Sequence, residues 1–287
     1  MPAHQNHHYV PAFLLREWER EEKKLSQFSW ENGTFRMFRR QAKSVAKVKH
    51  LYSTLRHLTA PDVQIERDVM GPKVDDPAAI VHKKLLAGGV GRLTSSEQED
   101  WARFIVSLFL RGPTAIADLR NRGRDTLAAG LTAAVERVSL LDNPPALSLA
   151  EWAQHENPST FEDLGIQTLE RLITSKVLNQ KLLAATWGTV KRRGAPHEFL
   201  ISDKPLVRVG ENLDGRFLIC LPLSPEQAFV AYSAQDIGKT LAERSTSSFV
   251  KALNFNTVCN AERYVYSTSA LQTDFVRKHL ASSGATR

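Results

Sequence analysis

Phe217-Leu218-Ile219-Cys220-Leu221-Pro222-Leu223-Ser224-Pro225-Glu226-Gln227-Ala228-Phe229-Val230-Ala231-Tyr232 decides the fold class. Two short apolar runs, 217–221 and 229–232, are joined through a Pro-containing connection. Runs of this length suit strands inside a sheet. Upstream, Thr186-Trp187-Gly188-Thr189-Val190 and Phe199-Leu200-Ile201 read as strands around the basic turn Lys191-Arg192-Arg193-Gly194. Downstream come a helix over about 242–260, a last strand at Tyr264-Val265-Tyr266 and a last helix over 271–280.

Before residue 185 the texture is helical. The clearest helix is 96–111. Ser96 with Glu99 fits a capping box, and Trp101, Phe104, Ile105 and Leu108 form an i, i+3, i+4, i+7 stripe. Other helices are expected over 62–70, stopped by Gly71-Pro72, and over 77–86, 114–127, 131–141 and 161–183. Asp142-Asn143-Pro144-Pro145 reads as a break, and Ser148 with Glu151 as a further cap. A short helix or turn is expected around Phe13-Leu14-Leu15. Near the start, Leu25–Trp30 and Thr34–Phe38 flank Asn32-Gly33, the strongest short hairpin signal because both turn positions tolerate positive φ. Phe28 and Trp30 would share one face, Gln27 and Ser29 the other. Residues 42–57 carry only weak helical spacing. The order is an N-terminal β-hairpin, a helical middle and a C-terminal, mostly antiparallel sheet with flanking helices: an α+β protein.

The chain has 287 residues, 42% hydrophobic and 24% charged, which excludes disordered, collagenous and low-complexity classes. No apolar run is long enough to span a membrane. The N-terminus has no cationic region followed by an apolar one, so no secretory signal is read there. Cys220 and Cys259 stand alone, which points to reduced thiols and a cytoplasmic setting. Phosphate-loop, dinucleotide, nucleophile-elbow and zinc-protease motifs are absent from the sequence.

The net charge of +7 is concentrated early: residues 1–60 hold eleven Lys and Arg against five Asp and Glu. Arg36, Arg39, Arg40 and Lys43 are its densest part. They read as a surface for nucleic acid or another polyanion, or as a solvated basic face. Five of nine histidines precede residue 60. His7-His8-Tyr9-Val10-Pro11 is the most unusual string. On an extended backbone adjacent imidazoles point apart, so one of the two serves a site as base or metal ligand and the other packs. Alternatively the pair fixes the N-terminal arm. Ser202-Asp203-Lys204-Pro205 follows a strand, where carboxylates often act in catalysis; a turn cap is the other reading. Glu66 reads as a catalytic acid or a surface acid. Arg111 reads as an anion binder or a helix-terminal charge. Asn254 is a polar group on a predicted helix.

At these residues the sequence resembles the DUF4238 family of uncharacterised bacterial proteins. The resemblance rests on His7-His8-Tyr9-Val10-Pro11-Ala12-Phe13-Leu14 and on Leu110-Arg111-Gly112-Pro113. It continues through Phe199-Leu200-Ile201-Ser202-Asp203-Lys204-Pro205 and through Leu253-Asn254 to Ala261-Glu262-Arg263-Tyr264. Lys204 stands where the family usually has Asn. The resemblance implies one unit over 1–287, within which 1–60 forms a basic arm, 61–184 a helical region and 185–287 the sheet region.

Two functions are expected. One is a hydrolase of phosphodiesters or nucleic acid, with His7 or His8 as base, Glu66 and Asp203 as acids able to hold Mg²⁺ or Mn²⁺, and Arg111 on the developing charge. It requires the imidazoles to face Asp203 across a shared cavity. The other is a non-catalytic nucleic-acid- or protein-binding component of a bacterial system.

Overall fold

The computed structural model describes residues 5–57, 60–138, 158–210, 213 and 215–281. The break read at 142–145 and the cap read at Ser148 and Glu151 lie outside the described residues. The architecture is α+β. Its strands are β1 Asn6–His8, β2 Leu25–Glu31, β3 Thr34–Arg40, β4 Lys47–Lys49, β5 Thr54–His57 and β6 Ala60–Asp62. After the helices come β7 Thr186–Lys191, β8 Ile201–Ser202, β9 Val207–Gly210, β10 Phe217–Ser224, β11 Gln227–Tyr232 and β12 Val265–Ser267. Every pairing among them is antiparallel.

The deciding stretch forms the centre of a sheet ordered β7-β11-β10-β9. Side chains alternate across it. Phe217, Ile219, Leu221 and Leu223 of β10, with Phe229 of β11, face the main core. There they meet Ala78, Val81 and Leu85 of helix Asp76–Gly88, and the Trp101-Phe104-Ile105-Leu108 stripe of helix Ser95–Leu110. Trp101 and Phe229 cross edge-to-face at 5.8 Å. Each such side chain contributes about 1.5–3 kcal/mol by leaving water. Leu218 and Cys220 point to the opposite side, onto Phe249 and Leu253 of helix Thr246–Asn260.

A second sheet is ordered β3-β2-β12-β8. The hairpin turn is as read, with Asn32 at φ 50° and Gly33 at φ 74°. Phe28 packs with Val258, Val265 and Val276. The opposite face is not solvated: Gln27 and Ser29 are buried, and Leu25 joins the main core. The hairpin shares this sheet with residues from the far end of the chain, Phe28 opposite Val265.

Several boundaries differ from the sequence reading. The helix after residue 62 does not stop at Gly71-Pro72. A π-helix, Ile65–Asp75, runs through Pro72 into helix Asp76–Gly88. The wider π turn accommodates a prolyl ring that would strike the carbonyl four residues back in an α turn. Thr94 with Glu97, not Ser96 with Glu99, forms the capping box: Glu97 N donates to Thr94 Oγ1 at 3.3 Å and Thr94 N to Glu97 Oε2 at 3.0 Å. The two helices read over 114–141 are one, Pro113–Val138. The segment 161–183 divides into Pro158–Ile173 and Lys176–Leu183, because the Ser175 side chain caps the second. Likewise Ser245 caps Thr246–Asn260 and separates it from Gln235–Glu243. Residues 42–57 are a short 3₁₀ turn, Ala42–Ser44, followed by β4 and β5. The edge strand β9 was not anticipated. No helix among the described residues is long and apolar enough to cross a membrane.

Helices Pro113–Val138 and Pro158–Ile173 approach closely at Gly165, where a Cβ would overlap the Leu119 carbonyl. Alanine normally favours a helix over glycine by about 1 kcal/mol. Here the overlap outweighs that gain. Gly165→Ala is expected to destabilise by about 1–2 kcal/mol. Thermal melting checks it; an unchanged or raised midpoint rejects the contact.

Candidate functional site

The N-terminal arm is pinned as a three-residue strand. Asn6, His7 and His8 pair with Lys49, Val48 and Lys47 of β4. Left-handed, non-glycine backbone holds both ends of β4, Ala46 at φ 50° and His50 at φ 56°. Such conformations persist only where the surroundings over-determine them. Tyr9 N donates to Ala46 O at 3.0 Å, and His50 N to Gln5 O at 2.7 Å.

The two imidazoles take opposite sides. His7 is fully buried. Its Nδ1 accepts the Tyr52 N–H at 3.0 Å, and its ring stacks on Tyr52 at 5.2 Å. It fixes the arm. His8 is half-buried, and its Nε2 lies 3.3 Å from Lys43 O. A carbonyl only accepts, so Nε2 carries the proton and Nδ1 is the basic nitrogen. Lys47 stands directly across the strand pair on the same face. Burial first, then the charges of Lys47, Arg111 and Arg16, hold the His8 imidazole below its ordinary pKa.

Arg111 is buried behind the arm. Its Nε donates to Tyr9 O at 3.0 Å, and its Nη1 to Asp75 Oδ1 at 2.7 Å. The carbonyl of Arg111 accepts from Tyr52 Oη at 2.9 Å. Its guanidinium is completely covered. It therefore organises the arm rather than meeting a ligand. Glu66 belongs to the same neighbourhood through the π-helix. Its Oε2 is buried with no hydrogen-bond partner. Burial, and next the charge of Asp75, push the Glu66 carboxyl up to about 7, against the pull of Arg111.

A carboxyl raised in the folded state binds a proton there that the unfolded chain has already released. Folding is therefore favoured below its ordinary pKa and weakens as pH rises from about 4.5 to about 7. Glu66→Gln is expected to gain stability relative to the parent over that window, by on the order of 2 kcal/mol at pH 8. Parallel melts at pH 4.5 and 8 check it; a pH-independent difference rejects the buried, protonated state.

Asp203 lies elsewhere in the bonding pattern. Its Oδ1 accepts the Glu262 N–H at 2.9 Å, and its Oδ2 accepts those of Arg263 and Tyr264 at 2.7 and 2.8 Å. Burial nevertheless pushes this carboxyl up to about 6. Ser202 Oγ donates to Lys204 O at 2.9 Å within the same turn. Asn254 donates to Glu198 O and accepts from Leu200 N, joining its helix to the neighbouring segment. These carboxylate hydrogen bonds tie Asp203 to the 262–264 backbone, and its charge also reaches Tyr9 of the arm. Among the described residues, four cavities of about 730, 490, 400 and 270 Å³ are lined by none of His7, His8, Glu66, Arg111 and Asp203. Among the described residues no three His, Cys, Asp or Glu side chains converge into a metal site built from protein ligands alone.

The basic residues sit on and beside edge strand β3. Arg36 is exposed, Arg40 stacks over Phe38 at 5.1 Å, and Arg39 is tied to Ser26 Oγ and Thr268 O. Lys43 is exposed and lends its carbonyl to His8. Asp75 and Tyr52 were missed from sequence. Asp75 hides behind a false helix stop, and Tyr52 in a segment with no clear periodicity.

The stretches that carry the family resemblance interlock pairwise: Arg111 with the His-His-Tyr arm, and Asp203 with the Glu262-Arg263-Tyr264 backbone. A family model described as a protein of unknown function, DUF4238, matches residues 6–270. No curated protein and no solved structure matches the chain. The match covers nearly the whole sequence, and the chain belongs to the DUF4238 family.

Proposed function

We propose that the chain is a hydrolase of phosphodiesters that works by acid–base chemistry on an anionic substrate. One observation carries the reading: two titratable groups around Arg111 are displaced in opposite directions, His8 downward and Glu66 upward. A base that is neutral and an acid still about half protonated near pH 7 are the pair such chemistry needs. In this reading His8 Nδ1 takes the proton of the attacking water or hydroxyl as the new P–O bond forms. Glu66 returns a proton to the leaving oxygen as the ester bond breaks. Lys47 and Arg16 hold the phosphate. We place the protein in the cytoplasm, in keeping with the free thiols of Cys220 and Cys259.

The test is turnover of bis(p-nitrophenyl) phosphate and of RNA and DNA oligonucleotides by the full chain, with and without EDTA. Activity should survive EDTA and peak slightly below pH 7. It should fall about 10²-fold or more in His8→Gln and Glu66→Gln. Absence of turnover on every substrate, or an unchanged His8→Gln, sinks it.

The second reading, a polyanion-binding component, is favoured by Arg36, Phe38 and Arg40, alternate residues on one face of an exposed edge. It predicts that Arg36→Glu with Arg40→Glu weakens binding to a single-stranded oligonucleotide and flattens its salt dependence. Basic residues also guard sheet edges against pairing, and unaltered binding leaves only that role.

A further inference from the structure

Helix Gln235–Glu243 crosses the outer side of the C-terminal sheet without fully burying any residue. Below it, β9 and β10 present the cross-strand pairs Val207–Cys220 and Val209–Leu218. Phe249 and Leu253 of helix Thr246–Asn260 form a second wall. These surfaces enclose a groove of about 400 Å³. Its floor is apolar, and Val209 remains 49% exposed there.

Charge lies at the rim. Arg216 is paired with Asp236. Arg244, just beyond the overlying helix, makes no hydrogen bond or ion pair among the described residues. An apolar floor with one uncompensated guanidinium selects its ligand by chemistry. Burying a hydrocarbon body over Leu218 and Val209 gains about 25 cal/mol per Å². A single carboxylate matches a free guanidinium and forms a charge-assisted, bidentate contact. A polyphosphate or nucleic acid would leave the floor uncovered and its further charges unanswered. The volume is that of a small-molecule site rather than a protein interface.

We propose that this groove binds a small amphipathic carboxylate, with its hydrocarbon tail over Leu218 and Cys220 and its carboxylate on Arg244. Cys220 serves as wall and not as nucleophile, since burial pushes its thiol up to about 12. None of the residues is shared with the arm around His8, so the site stands or falls separately from the phosphodiester reading.

The test is isothermal titration of the full chain with decanoate and with decanol. Three proteins are compared: the parent, Arg244→Ala and Val209→Glu. Val209 is half-exposed on an edge strand, so its replacement should leave the melting temperature nearly unchanged. Decanoate is expected to bind saturably at one site. Arg244→Ala should weaken it about tenfold to a hundredfold while leaving decanol unaffected. Val209→Glu should abolish decanoate binding by setting a like charge on the floor. No decanoate binding to the parent overturns the proposal. So does equal decanoate binding by all three proteins, or an equal loss of decanol and decanoate in Arg244→Ala.

Discussion

Arg111→Met lowers the stability of the fold by about 3–5 kcal/mol, the cost of leaving one partner of a buried ion pair alone. The partner is Asp75, whose Oδ1 receives Arg111 Nη1 at 2.7 Å. The Tyr9 carbonyl loses its donor as well. For a chain of this size the midpoint should fall by roughly 6–15 °C. The pH dependence has a definite sign. Burial already raises the Asp75 carboxyl despite the guanidinium beside it. Without that charge its folded pKa rises further, so protonation relieves the variant. The deficit should shrink toward acid and grow as pH increases. Asp75→Asn in the Arg111→Met background should recover part of the loss. Calorimetry at two pH values decides it. A deficit that ignores both pH and Asp75 would show that Arg111 is not held as described.

The second large effect is expected at Asp203. Its carboxylate serves three backbone N–H groups, those of Glu262, Arg263 and Tyr264. Each buried donor left unpaired costs about 1–3 kcal/mol, and relaxation with water entry recovers some of it. Asp203→Ala should therefore destabilise by about 3–5 kcal/mol. Asp203→Asn retains one acceptor oxygen but turns an NH₂ group toward N–H donors, so it should rescue only partly. Protection of the 262–264 amides from hydrogen exchange reads the same event locally. If Asp203→Ala melts like the parent and those amides stay protected, the carboxylate is free for another duty.

Much of the fold is written locally. Asn32-Gly33 announces its turn, the stripe from Trp101 to Leu108 announces its buried helix, and the runs of β10 and β11 announce the sheet. What is not local is not legible. Lys47 stands across from His8 only because two three-residue strands pair, and strands that short leave no periodicity. The π-helix defeats the rule that Gly-Pro ends a helix, and with it conceals Asp75. Of the four polar residues read for chemistry besides His7, His8 and Glu66 feel the charge of Arg111 behind the arm, and Asp203 feels its far side through Tyr9. Asp203 was equally readable as a turn cap. Its acceptors' partners lie some sixty residues on, beyond the reach of any spacing argument.

The sheet that joins β2 to β12 sets translation order against assembly order. The hairpin leaves the ribosome early, with its turn chemistry complete, yet one long edge of β2 must wait for residues 265–267 to emerge. Until then a nascent chain displays an open strand that carries Phe28 and Trp30, the kind of template that captures a neighbouring chain. Closure is a late event between distant segments, so maturation of this protein should be slow and sensitive to crowding of unfinished copies.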